Sequence, residues 1–338
     1  MIEFIRCGAP QYKANLHSHS TLSDGCLTPE EMAAAYREQG YSILAITDHE
    51  APYDHTALSS QDFLLVTGYE AYIRPDPNCR YNPLAPEIHL NLLAKDPHNL
   101  TFVGYRPEFC KYMPLDLAQS RPRSGPEGPR RYAPDYMQSF IDAARQSGYL
   151  VSYNHPIWSM EDVETILGYE GIYSLEIFNT GSALISGDED NGALYDRLLR
   201  LGKNWYCHGA DDNHNKVPLD DPDSDSFGAW TMVLADELSY PSVMKALEEG
   251  RFYASTGPAI TELTFDGAQV RIKSTPATRI TMHISPKLCH HAAAPRGQTL
   301  TEASFTIPDN APYVRFTVQG ADGTRAETHA FTRAALGL

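Results

Sequence analysis

No apolar run in this 338-residue chain approaches the ~20 residues needed to span a bilayer. Nor does any C-x-x-C pair occur among the six cysteines, Cys7, Cys26, Cys79, Cys110, Cys207 and Cys289, which argues against a zinc ribbon or a dithiol redox site. Basic residues are scarce. Against 43 Asp and Glu stand 27 Lys and Arg, a formal net charge of −16. Such a field repels a phosphate backbone over most of the surface and argues against a duplex-binding role. A small anion is still acceptable where bound cations invert the local charge. The chain opens Met-Ile-Glu-Phe-Ile-Arg, without a basic region followed by an apolar stretch, so the expectation is a cytoplasmic protein with no membrane association. Proline and glycine, by contrast, are plentiful at 24 and 23. Hydrophobic runs lie between them, which points to many loops around a real core rather than to disorder.

The first two-thirds alternate short apolar runs with helical patterns. The runs are Ser42–Thr47, Phe63–Thr67, Ile88–Ala94, Leu150–Tyr153, Ser174–Phe178 and Trp205–Gly209, and several end on His, Asp, Glu or Asn. Helices are expected after Thr28, with Pro29 in the first turn and Glu31 closing a capping box, and over Pro134–Gln146, Glu161–Leu167, Gly192–Leu201 and Tyr240–Glu249. This alternation indicates parallel strands in an α/β fold, closed or distorted into a barrel. After Gly257 the pattern changes to short alternating stretches separated by turns such as Asp266-Gly267 and Asp322-Gly323, the signature of a small antiparallel β domain of sandwich type. The expected division is therefore 1–257 and 258–338. A Pro-, Arg- and Gly-rich stretch, about Tyr105–Tyr132, reads as a long loop.

The chemistry is concentrated at the strand ends. In Asn15-Leu16-His17-Ser18-His19 the two histidines share one side of an extended segment and could bind one ion, with Asp24 at the next turn. His49 ends one run, Glu70 another, His89 lies in a third, and Asn154-His155-Pro156 follows a fourth. Asp212 and His214 form a D-x-H pair after a fifth. A single strand histidine is more often a satisfied core residue than a ligand. Six histidines and three carboxylates at successive strand ends are harder to explain so, because each buried unpaired polar group costs several kcal/mol. Mixed nitrogen and oxygen ligands suit Zn, Mn or Fe rather than Mg or Ca.

The ordered set H-x-H, His, Glu, His, His and D-x-H resembles the polymerase-and-histidinol-phosphatase (PHP) superfamily over roughly residues 12–256. The segment Gly250–Pro258 resembles a subgroup with a C-terminal β extension. The resemblance implies a distorted (β/α)7 barrel holding two or three divalent transition metals. By this likeness His17, His19, Glu70 and Asp212 would hold one ion. Glu70, His89 and His155 would hold a second, with Glu70 bridging, and Asp24, His49 and His214 a third. Some relatives have His where this chain has Asp24. The D-x-H spacing favours Asp212 over the adjacent Asp211. The implied activity is that of a phosphoesterase releasing phosphate from a small phosphorylated metabolite or nucleotide by attack of a bridging hydroxide, with Glu70, Asp212 and His214 as catalytic residues.

Other residues have two readings. Asn179, Arg130 and Arg131 are candidate substrate-binding groups, the arginines only if their loop folds over the cluster. Glu176 could also face the substrate, whereas His208 reads as a core or supporting residue. His283, His290 and His291 read as ordinary residues of the β domain. Two further function classes stay open: hydrolysis of a carboxylic ester or amide by the same cluster, and a binding protein with structural metals. The partner expected is a small phosphorylated molecule, not polymeric nucleic acid.

Overall fold

A computed structural model describes residues 1–75, 82–187 and 190–338. Cys79 lies outside the described residues, and the other five cysteines are unpaired.

The fold is mixed α/β. Tyr12–Asn15, Ile43–Ile46 and Leu64–Ile73 pair in parallel. Ile88–Ala94 follows antiparallel to Leu64–Ile73 and to Tyr149–Tyr153. Tyr149–Tyr153, Ser174–Asn179 and Tyr206–Ala210 are again parallel. The reversal has a local cause: a parallel pair needs a crossover, usually a helix, and residues 74–87 contain no described helix. Each strand is buried on both faces, as in Ile43–Ile46, where all four residues are inaccessible. The first and last strands of this run meet just beyond their ends. Ser18 bridges to Asn213, Asp212 N donates to His17 O (2.9 Å), and His19 N donates to Asn213 O (3.0 Å). The run thus curls round on itself at the residues expected to bind metal.

Helices cover the outside. Pro29–Glu38 starts at the expected capping box, with Thr28 Oγ1 accepting from Glu31 N and Glu31 accepting from Thr28 N. It buries Met32, Ala33 and Tyr36. Pro134–Gln146 buries Met137, Phe140 and Ile141 in the main core. Gly192–Arg200 and Tyr240–Glu248 lie within one residue of expectation. The expected helix over 161–167 is a single turn, Val163–Ile166, preceded by another, Pro156–Ser159. The stretch 105–132 contains a helix, Leu115–Ser120, and a short strand, Arg123–Ser124, paired with Phe102–Val103.

Beyond Tyr12–Asn15 the sheet continues antiparallel through Trp230–Val233, Phe252–Ser255, Arg325–Thr328, Tyr313–Gln319, Arg279–Ser285 and Leu288–Ala293. A second sheet, Ile2–Ile5, Ile260–Asp266, Gln269–Ala277 and Leu300–Thr306, packs on it through Leu263, Phe265, Ile272, Met282 and Phe316. Two strand pairings therefore cross residue 257, Ile2–Ile5 with Ile260–Asp266 and Phe252–Ser255 with Arg325–Thr328.

Candidate metal centre

All nine sequence-selected histidines and carboxylates converge where the strand run closes. Glu70, fully buried, is at the middle. Nitrogens of His17, His19, His49, His89 and His155 lie 3.2, 3.4, 2.9, 3.1 and 3.5 Å from its two oxygens. Asp212 Oδ1 lies 3.1 Å from His17 Nε2 and 3.0 Å from His19 Nε2. Asp24 stands at the rim, 3.7 Å from His49 Nε2 and 3.5 Å from His214 Nε2.

Buried neighbours aim these groups. His17 Nδ1 donates to Glu176 Oε1 (2.7 Å), which turns Nε2 toward Glu70 and Asp212. The other Glu176 oxygen accepts from His155 N (2.8 Å) and Asn179 Nδ2 (2.7 Å). Asn154 Nδ2 donates to Glu70 Oε1 (2.7 Å), and His214 Nδ1 donates to Asp212 O (3.0 Å). Asp48 accepts from Ser20 N (2.8 Å) and from the hydroxyls of Ser20 and Ser23 (2.7 and 2.6 Å), fixing the turn that presents Asp24. Gly25 in that turn has no room for a side chain, since a Cβ would strike the His19 carbonyl. His155 and Asp212 hold positive φ values of 27° and 54°, backbone strain that packing must hold in place.

Burial pulls the His17 and His89 imidazoles down, but nearby carboxylates outweigh it, holding His17 well above its ordinary value and His89 at about 10. His19 goes the other way, to about 4, through burial and the neighbouring His49 and His214. Burial raises Glu70 and Asp212, yet the surrounding imidazoles win and hold both carboxylates ionised. The cluster is thus a buried set of anions faced by bases that compete for protons, the condition in which a divalent cation displaces protons.

Three overlapping groups have ligand atoms within 4.8 Å of one another: His17, His19, Glu70 and Asp212; His19, Asp24, His49 and His214; and His49, Glu70 and His89. Atoms bound about 2.1 Å from one ion stand roughly 3.0–3.4 Å apart, the spacing seen here. Glu70 Oε2 and His49 Nδ1 are buried side by side and make no hydrogen bond. These residues therefore fit metal ions. His19 and His49 each stand in two groups, while His155 lies beside Glu70 and 3.9 Å from Asp212 Oδ2.

Residues 15–105 match the family profile described as the PHP domain. That segment, about a quarter of the chain, resembles a PHP domain. His155, Asp212 and His214 lie outside the matched residues, and only the fold brings them to the others. The chain is 52% identical over 48 residues to the DNA polymerase/3'-5' exonuclease PolX of Bacillus subtilis, covering 14% of this chain and 8% of that protein. It is 32% identical over 140 residues to the error-prone DNA polymerase of Mycobacterium bovis, covering 38% of this chain and 11% of that protein. The chain thus spans about a tenth of the length of these curated relatives. A two-domain protein from Bacteroides vulgatus, whose description names a PHP-like metal-dependent phosphoesterase, aligns over 97% of this chain and 98% of its own, with 14% identity and a TM-score of 0.48.

Three sequence-selected residues do not present free groups to this cluster. Arg130 is buried and forked onto Glu50, with Nη1 2.5 Å from Oε1 and Nη2 2.8 Å from Oε2; its other donors reach Tyr72 O and Gly104 O. Arg131 pairs with Asp135 at the surface (2.7 Å). Asn179 caps the helix Thr180–Ser186 through Oδ1 and donates to Glu176 and Asp212 through Nδ2, so it positions Asp212 instead. Asp211 turns away from the cluster to accept from the Tyr36 and Thr180 hydroxyls and the backbone of Phe227, Gly228 and Ala229. Glu50 and Asn154 had no assigned role in the sequence. Asn154 had one available signal, its place beside His155 at a strand end.

Proposed function

We propose that this chain is a metal-dependent hydrolase, and within that class a phosphoesterase that releases phosphate from a small phosphorylated compound. The observation that supports this most is Glu70, one buried carboxylate within 3.5 Å of five imidazoles. Closed four-ligand sites suffice to stabilise a fold, whereas overlapping groups at a strand-end opening suit chemistry. His17, His19, Glu70 and Asp212 would hold one ion, Glu70 bridging to a second beside His49, His89 and His155, with Asp24 and His214 completing a third position. When bound, such ions supply Lewis acidity toward a phosphoryl oxygen and an activated water. The protein's part is positioning. Glu176 fixes the tautomer of His17, Asn179 steadies Asp212, and Asn154 holds Glu70.

The substrate we propose is small rather than polymeric, because a net charge of −16 disfavours a long polyanion. No described helix is long and apolar enough to cross a membrane. The test is a panel of phosphate monoesters, a cyclic phosphate, aryl carboxylic esters and single-stranded DNA at one metal concentration. Release of phosphate from small monoesters is expected. Faster turnover of DNA with a steep salt dependence would contradict the small-substrate claim, and cleavage of aryl esters alone would replace phosphoester chemistry with carboxylic-ester chemistry.

A further inference from the structure

A cavity of about 660 Å³ opens beside the cluster and is lined in part by Asp24, His49 and His89. A smaller one, about 310 Å³, shares His49 and His89 with it and reaches His155, Asp212 and His214. Trp158 lines both, its ring 5.1 Å from that of His89 and 4.7 Å from that of His155. It sits in the single-turn helix Pro156–Ser159, directly after His155, so one short segment delivers both a candidate ligand and the cavity wall.

Exposed apolar side chains stand among the polar groups of the lining. Ile157 and Met160 are 42% and 44% exposed and line the larger cavity; Leu184 and Ile185, 47% and 75% exposed, line the smaller. Large apolar side chains left in solvent around a concave site mark a place where a ligand covers them. The charges agree. In the larger cavity Asp24 and Glu87 balance Arg74 and Lys111, and Arg74 is bound to Glu87 at 3.3 Å. In the smaller, Asp212, Asp223 and Asp225 outnumber Lys216. With Asp24 set aside as a metal position, the described lining of the larger cavity holds Lys111 beyond the Arg74–Glu87 pair, and that of the smaller is net acidic.

We infer that the larger cavity receives a flat, apolar leaving group, an aryl alcohol rather than a sugar or a nucleoside, stacked on Trp158. This rests on the hydrolase reading above. Hydrolysis forms one P–O bond to the oxygen of water and breaks the P–O bond to the leaving oxygen. A proton from that water ends on the leaving oxygen, so a neutral aryl alcohol departs through an apolar opening.

The test has a binding arm and a turnover arm, both on purified full-length protein supplied with Mn²⁺. Calorimetry should show 1-naphthol binding at least about tenfold tighter than adenosine, the size of effect an aromatic stacking partner and apolar walls provide. Trp158→Ala should lose about that factor and Trp158→Phe retain most of it. The double change Ile157→Asn with Met160→Asn alters only exposed side chains and should weaken naphthol binding several-fold in folded protein. In the turnover arm, 1-naphthyl phosphate should exceed glycerol phosphate and adenosine monophosphate in kcat/KM. Adenosine binding as tightly as naphthol, or naphthol binding unchanged in the Ile157/Met160 variant, would overturn the inference. So would equal turnover of naphthyl and glycerol phosphates. Intact naphthol binding with no ester hydrolysed would instead sink the hydrolase reading and leave the cavity assignment standing.

Discussion

Glu70 and Arg130 illustrate two uses of a buried charge. Glu70 is surrounded by five imidazoles that need a cation to agree on their protons, whereas Arg130 is matched by one carboxylate and two carbonyls. Glu70→Gln keeps the volume but loses the charge and one acceptor. It is expected to cut metal affinity and turnover by more than the roughly 10–100-fold that losing an outer supporting residue costs. Metal analysis beside steady-state rates checks this, and near-normal values for both would remove Glu70 from the bridging role. Arg130→Met should instead act on stability, by about 3–5 kcal/mol, because it strands Glu50 in the interior. Adding Glu50→Gln should recover part of that loss in urea unfolding; a variant as stable as the parent would show that the fork contributes nothing. A third residue, His329, sets an acid limit. Burial lowers its pKa to about 4 from 6.5, and it packs among Phe4, Tyr206 and Phe331. Between those values the unfolded chain binds the proton and the folded chain does not, so stability falls as pH drops from about 6.5 to 4, by at most about 3 kcal/mol. His329→Phe should flatten this dependence in unfolding measured at several pH values, and an unchanged slope would assign it elsewhere.

At the scale of elements, the helix Pro29–Glu38 links local signals to the site. Its capping box fixes its start, and Tyr36 on its buried face accepts from Asn15 Nδ2 (3.0 Å) and donates to Asp211 (2.8 Å), beneath the segments carrying His17 and Asp212. Thr28→Ala is expected to cost about 1 kcal/mol in chemical denaturation, with metal content unchanged; a loss of metal would mean that the cap reaches the site. This helix was legible because a cap, a proline and an apolar face lie within a dozen residues. So were His17 with His19 and Asp212 with His214, since their spacing is visible in the chain itself. The fork of Arg130 on Glu50 was not, because its partners are 80 residues apart and nothing local joins them. Glu176 and Asn179 were visible as polar strand-end residues, but only the pairing of Ser174–Asn179 with its neighbours shows that they turn to His17 and Asp212. The edge strand Leu288–Ala293 was missed for a different reason: it is almost wholly exposed and has no burial alternation to read. Ile2–Ile5 was missed because its partner lies some 260 residues away.

The whole molecule ties a metal-binding strand run to a two-sheet β region through continuous hydrogen bonding and one buried charge network. Arg315, from Tyr313–Gln319, forks onto Asp196 of the helix Gly192–Arg200 (2.7 and 2.8 Å) and reaches Glu327 (2.7 Å). Placing nine candidate ligand groups at one closure point requires strands spread from residue 12 to residue 210, so the cluster is a property of the complete fold and not of the segment 15–105 alone. Elemental analysis of the protein after mild purification tests this most directly. At least two transition-metal ions per chain, Zn, Mn or Fe, are expected, and no bound metal even after reconstitution with Mn²⁺ or Zn²⁺ would contradict it.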